Sequence, residues 1–248
     1  KSEYTVIDLF SGAGGLSQGF LQAGFNILAG IDFDEAALKT YAHNIVGAKA
    51  LKEDLFQEEI AINNIDKELV NTSLDVIIAG PPCQGFSLTG SRDINDTRNK
   101  LYLAVVHAVN YFKPKVFLIE NVPGMATLYK GKVKEQIINT FEDIGYNVSV
   151  TDKPLLAADY GMDAEEKIEK DGVPQFRKRM FFVGFRKDLN LEKFVFPKPI
   201  LDEDSYIGTA AAISDLPSLE FDLGSPVAEY ESKPKSDYQI LMRRGASK

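Results

Sequence analysis

The sequence predicts an α/β fold, a doubly wound and mostly parallel sheet with helices on both faces. Three observations carry this. Short apolar runs alternate with amphipathic stretches over the first 185 residues. Most of those runs are continuously apolar, as in strands buried on both faces. Glycine-rich or polar turns follow them. At 248 residues the chain is long enough for a substantial core. With 44% hydrophobic and 26% charged residues it is neither wholly disordered nor fibrous.

The elements follow in order. Tyr4–Phe10 reads as a buried strand, then a glycine-rich turn and a helix through about Ala23. Asn26–Ile31 is a second strand, and Asp34 suits the N-cap of a helix running to Asn44. A third strand position precedes Asp54, and Asp75–Ala79 is a short β-branched run. After a polar loop, Leu101, Val105, Ala108, Val109 and Phe112 recur at helical spacing. Lys115–Glu120 is another strand, and Val133, Ile137, Ile138, Phe141 and Ile144 line one helix face. Tyr146–Val150 and Met180–Phe185 close the series. The pattern predicts one domain over residues 1–200 and an acidic linker over 201–248.

Composition bounds the chemistry. The formal net charge of -8 argues at first against a nucleic-acid partner. All of it resides in residues 202–231, which hold eight acids and no Lys or Arg. Residues 174–200 carry +5 and residues 233–248 carry +4. One cysteine excludes an intramolecular disulfide, and with only His43 and His107 beside it no metal-ligand spacing exists. No apolar run approaches the roughly 20 residues that span a bilayer. An intracellular protein without metal or membrane is expected.

Sheets of this class bind ligands beyond the carboxyl ends of their strands, so the segments placed there are the candidates. Asp8-Leu9-Phe10-Ser11-Gly12-Ala13-Gly14-Gly15 ends the first strand, and its glycines admit close approach of backbone to a ligand. Gly12-x-Gly14 with an acid about 20 residues on also fits a dinucleotide fingerprint, but Ser17 stands where its third glycine belongs. Asp32 ends the second strand, where a carboxylate can accept from both hydroxyls of a ribose, and Phe33 offers a flat face for an adenine. Gly80-Pro81-Pro82-Cys83-Gln84-Gly85-Phe86-Ser87 sets a thiol between stiff and flexible backbone, which suits a held nucleophile. His107 sits mid-helix with no evident orienting partner and reads as structural. Glu120 ends the strand at Val116–Ile119, where a carboxylate short of water suits a group that holds or donates a proton. Alternation from Gln175 puts Arg177 and Arg179 on one face, which calls for anions or carbonyl acceptors.

Together and in this order, these segments resemble the cytosine-5 DNA methyltransferases. The match spans residues 4–185 and rests on DLFSGAGGLSQGF, Asp32-Phe33, Asp54, GPPCQGFS, ENV and QFRKR. The resemblance implies the Rossmann-like fold of enzymes that use S-adenosylmethionine and release S-adenosylhomocysteine. It implies that the Cys83 thiolate adds to C6 of cytosine and that C5 then takes the methyl group. Glu120 would hold N3 and the exocyclic amine, and Arg179 with Arg177 would bind the base carbonyl and its surroundings. Phe10, Gly12 and Gly14 would line the cofactor's methionine end, Asp32 its ribose, and Phe33 and Asp54 its adenine. Pro82 and Leu101 would pack around the cofactor and target pocket. The substrate would be double-stranded DNA with the cytosine flipped out, beneath a loop carrying Gln84, Ser87, Arg92 and Arg98.

The resemblance also implies a prokaryotic, cytoplasmic and nucleoid-associated setting, with a cognate restriction endonuclease as an associate. Two readings stay beside it, an RNA (tRNA) cytosine-5 methyltransferase and a non-catalytic binding module. Two departures stand out. An acidic stretch, residues 162–172, separates Asp159-Tyr160-Gly161 from Val173-Pro174-Gln175, which the family joins directly. The family's target-recognition region has no counterpart, which implies the N-terminal catalytic portion of a longer enzyme.

Overall fold

Alternation along the first strand sets the layers. In β1 (Thr5–Leu9) every residue is buried, with Val6 and Asp8 on one face and Ile7 and Leu9 on the other. The structure, a computed structural model, describes residues 4–70, 72–82, 101–127, 131–161, 172–217, 229–230 and 232–243. Its remaining strands are β2 (Asn26–Asp32), β3 (Lys49–Lys52), β4 (Val76–Ala79), β5 (Val116–Asn121), β6 (Tyr146–Val150), β7 (Leu155–Leu156) and β8 (Lys178–Arg186). The sheet runs β3-β2-β1-β4-β5-β8-β6, with the two-residue β7 off that path. The first five strands in that order pair in parallel, and β8 runs antiparallel to both of its neighbours on the path. The expected doubly wound, mostly parallel sheet is therefore present.

Helices cover both faces. On the Val6 face, α1 (Gly15–Gln22) and α2 (Glu35–Asn44) bring Leu16, Phe20, Tyr41 and Ile45 against Ile27, Val76 and Ile78. On the Ile7 face lie α3 (Glu58–Leu69), α4 (Leu101–Phe112) and α6 (Lys132–Asp143), the last preceded by the short α5 (Gly124–Thr127). Phe117, Phe141 and Tyr146 stack there, with ring centroids 4.2 Å and 5.3 Å from Phe117. Opposite Phe117 in the register stands Gly184, because any Cβ there would collide with the Phe117 ring. Asp34 caps α2 as expected, accepting from the N–H groups of Ala36 and Ala37.

The chain divides into two compact units, residues 1–155 with 178–196 and residues 156–177 with 197–248. The sequence placed one boundary at residue 200; the second unit instead also takes in 156–177. The reason is local hydrogen bonding. Ile200 and Leu201 both donate their N–H to the Asp159 carbonyl, and the Tyr206 hydroxyl bonds the Asp159 carboxylate. In the same unit, α7 (Thr209–Ile213) and α8 (Asp237–Met242) are joined by the buried Gln239 side chain, which donates to Ala210 O and Ser214 Oγ. Arg243 pairs with the buried Asp215 at 2.7 Å. The acidic stretch leaves and returns through a bridge between Gly161 and Gly172; residues 162–171 lie outside the described residues.

Candidate active site

The glycine turn takes its shape from positive φ angles that only some residues tolerate. Phe10, Gly12 and Gly14 have φ of 58°, 52° and 95°. Gly14 also lies on the Tyr41 ring, 3.0 Å from where a Cβ would stand, so both backbone and space require glycine. Around Gly12 nothing lies within 4 Å of that point, which leaves room for a ligand against the backbone.

Asp32 sits at the end of β2 and holds this turn. Its Oδ2 accepts the Gly12 N–H at 2.8 Å, and its Oδ1 accepts the Asp34 N–H at 2.9 Å. Each oxygen keeps a further lone pair for hydroxyl donors. Next to it Phe33 is 69% exposed, an aromatic face without a core to fill. A small cleft gathers Phe10, Asp32, Phe33, Asp54, Pro82 and Leu101, six residues singled out from the sequence. Glu53, Leu55 and Phe56 complete it and were missed. Glu53 enters because its N–H pairs with the Asp32 carbonyl at 3.0 Å, which ties the ends of β2 and β3 together. Phe56 is 54% exposed, and its N–H bonds the Asp54 carboxylate at 3.0 Å. An aromatic two residues past an acid after a strand was the signal available for it.

The second cluster lies at the end of β5. Glu120 follows Val116 and Leu118 in the pleat, which sets it toward the α1 face. Its carboxylate forms an ion pair with the Arg179 guanidinium, both side chains about one-fifth exposed. Register explains the meeting. Because β8 is antiparallel, Met180 pairs with Asn121, so the start of β8 lies where β5 ends. Glu120 Oε2 also lies 3.9 Å from the point where a Cβ on Gly80 would stand, three residues before Cys83. Cys83, Gln84, Ser87, Arg92 and Arg98 themselves lie outside the described residues.

Two sequence readings need correction. The alternation expected from Gln175 does not operate, because β8 begins only at Lys178. Before it, Gln175 N–H bonds Val173 O and Arg177 N–H bonds Gln175 O, two successive tight turns in place of a pleat. Arg177 therefore belongs to the second unit and Arg179 to the first. His107 does have a partner, the Glu58 carboxylate of α3. That pair joins two helices on the outer layer and leaves the structural reading of His107 intact.

Beneath the turn runs a buried chain of side chains that no local pattern announces. Asp8 Oδ2 accepts from Ser17 Oγ at 2.7 Å and from Ser17 N at 3.3 Å, and Ser17 Oγ lies 2.9 Å from the Tyr41 hydroxyl. All three residues are at most 1% exposed. Burial pushes the Asp8 carboxyl up to about 7 despite the Ser17 bonds, with repulsion from Asp32 adding to the rise. Burial also pushes the Tyr41 phenol upward, so it stays neutral.

Comparison with known proteins agrees with this geometry. Residues 4–242 match the family model for C-5 cytosine-specific DNA methylase. The chain is 39% identical over 246 residues to the Type II methyltransferase M.DdeI of Desulfomicrobium norvegicum, covering 98% of this chain and 55% of that protein. It is 42% identical over 200 residues to the Type II methyltransferase M.FnuDI of Fusobacterium nucleatum, covering 80% and 52%. The chain thus spans about half the length of these curated relatives. A crystal structure assigned as a DNA modification methyltransferase of an E. coli prophage superposes with a TM-score of 0.67 at 33% identity, covering 87% of this chain and 56% of that one. A Spodoptera frugiperda DNMT2 variant shares the fold at a TM-score of 0.58 and 22% identity, covering 87% and 60%. With the glycine turn, the acid–aromatic cavity and the Glu120–Arg179 pair on one sheet, the chain belongs to the C-5 cytosine-specific DNA methylase family.

Proposed function

We propose that this chain carries the catalytic and cofactor-binding part of an enzyme that methylates C5 of cytosine in double-stranded DNA. The observation that carries the reading is the Glu120–Arg179 pair beside Gly80, on the same rim as the acid–aromatic cavity. The cavity suits S-adenosylmethionine by its donor set. Asp32 and Asp54 supply acceptors for hydroxyls and an amine, Phe33 and Phe56 supply ring faces, and the open side of Gly12 admits a chain against the backbone. When bound, the cofactor supplies an electrophilic methyl group.

The protein's own groups would act on the base. The Cys83 thiolate forms a bond to C6, and the π electrons of the C5–C6 bond move toward C5 and N3. Glu120 holds a proton at N3 and accepts from the exocyclic amine, which offsets the charge that appears on the ring. Arg179, anchored by Glu120, presents its guanidinium to the base carbonyl, with Arg177 as a further cation from the segment before β8. After C5 gains the methyl group, loss of its proton to a base restores the C5–C6 double bond and expels the Cys83 thiolate. The reacting carbons are buried in stacked duplex, so the cytosine must be flipped out. Gln84, Ser87, Arg92 and Arg98 would serve DNA contact. The Type II relatives support a role beside a restriction endonuclease. Among the described residues no helix is long and apolar enough to cross a membrane, and a cytoplasmic, nucleoid-associated enzyme is the matching proposal.

The test uses the full-length protein with methyl-labelled S-adenosylmethionine, offered duplex DNA or tRNA, with Cys83→Ser in parallel. Label is expected in DNA only, and the serine variant should transfer none. Transfer to tRNA alone would replace the substrate, and transfer undiminished by the substitution would reject the thiolate. A trapped protein adduct on 5-fluorocytosine DNA is the direct sign of the bond to C6.

A further inference from the structure

We propose that Tyr41, Ser17 and Asp8 form a buried strut that positions the glycine turn and thereby sets how tightly S-adenosylmethionine is held. The inference rests on the cofactor reading above and assigns these three residues a positioning role.

The argument begins at the helix that follows the turn. Helix α1 has no side-chain cap of its own, since its N-cap is Gly14, and it contains no charged residue. Its first-turn N–H groups need acceptors. Asp8 supplies one from the neighbouring strand, accepting both the N–H and the hydroxyl of Ser17. A carboxylate at this end is also favoured by the helix dipole. The Ser17 hydroxyl has one proton, and while Asp8 takes it, Ser17 Oγ must accept from the Tyr41 hydroxyl.

Tyr41 does more than close the chain of bonds. A Cβ on Gly30 of β2 would collide with its ring, and Gly14 touches the same ring from the turn. One side chain of α2 thus fills the space that two glycines leave, while its hydroxyl reaches Ser17. The turn is held at two points: Asp32 grips the Gly12 N–H and Asp8 grips Ser17. Exposed at 1% or less, the three residues have no surface with which to touch a ligand. Their effect on the cofactor must pass through the turn between those two grips.

The test compares the full-length protein with Tyr41→Phe, which removes one oxygen and keeps the ring, and with Ser17→Ala, which removes both hydroxyl bonds. Three quantities are read: S-adenosylhomocysteine affinity by calorimetry, KM and kcat for methyl transfer, and the melting temperature of the unliganded protein. Tyr41→Phe should weaken S-adenosylhomocysteine binding and raise KM about fivefold, with kcat within twofold, and Ser17→Ala should do more. Unchanged affinity in both folded variants, whatever their melting temperatures, would overturn the strut as a cofactor-positioning device. So would a fall in kcat at unchanged KM. Wild-type protein that binds no S-adenosylhomocysteine would overturn the cofactor reading as well, and that outcome is separate because it needs no variant.

Discussion

Two aspartates are buried at opposite ends of the same sheet, and their surroundings differ. Asp75, 6% exposed, lies just before β4 at the amino end of the parallel strands. Lys115 Nζ lies 2.7 Å from its Oδ1, and the Thr5 N–H donates to its Oδ2 at 2.9 Å. Burial pushes its carboxyl up, but the Lys115 and Thr5 bonds outweigh that and hold it below the ordinary range. Asp8, 1% exposed and near the carboxyl end, meets a serine and another acid instead of a cation. The amino end is built as an anchor. The carboxyl end keeps a costly carboxylate as an acceptor for the glycine turn, and stability is given up at the rim proposed to hold the cofactor.

The largest expected effect concerns the carboxyl end as a place of chemistry. Glu120→Gln should lower kcat for methyl transfer by about a thousandfold or more, with little change in melting temperature. A variant that melts much earlier but transfers normally would make Glu120 an anchor like Asp75.

Next comes the pH dependence of stability, where the two aspartates should act with opposite sign. Asp8 is raised, so its contribution is full below its unfolded value of 3.8 and is lost as pH rises through about 7. Over that window the loss is on the order of 4 kcal/mol, and Asp8→Asn should flatten it in denaturant titrations taken at successive pH values. Asp75 is lowered, so its contribution is present above its unfolded value and disappears as acid protonates the folded state below it. An Asp8→Asn variant that keeps the wild-type slope between pH 4 and 7 would dissolve the contrast.

Smaller still is the cost of breaking the anchor itself. Asp75→Ala strips acceptors from the Thr5 N–H and leaves Lys115 without its partner, and should cost about 2–3 kcal/mol in urea unfolding. Cofactor affinity should not move. Least in size, Phe33→Ala should weaken S-adenosylhomocysteine binding by about tenfold or less while leaving unfolding unchanged, because an exposed ring contributes only stacking. A destabilised Phe33→Ala protein would place that ring in the core instead.

Much of the sheet and its rim was legible because each relies on local signals. Continuous apolar runs gave the strands, the end of the second strand gave Asp32 and Phe33, and the family resemblance added Phe10, Asp54, Pro82 and Leu101, six of the nine cavity residues together. What stayed hidden depends on pairing at a distance. Asp8, Ser17 and Tyr41 are separated by 9 and 24 residues, and nothing local distinguishes that serine or that tyrosine from ordinary helix residues. The tight turns at 173–177 were invisible because a period-2 pattern was extended into segment that is not strand. The direction of β8 matters likewise. Residues that follow a parallel strand announce themselves at the rim, whereas Arg179 reaches it by standing at the start of an antiparallel one.

The Gly161–Gly172 bridge has a consequence for engineering. Two residues pinned side by side close the base of the stretch, so the pairing there does not depend on the length of chain between them. Each doubling of a flexible loop costs only about 0.6 kcal/mol of closure entropy. A peptide tag or fluorophore grafted between them should therefore leave the melting temperature within a few degrees of wild type. The bridge makes the acidic stretch a handle by which the protein can be held and watched.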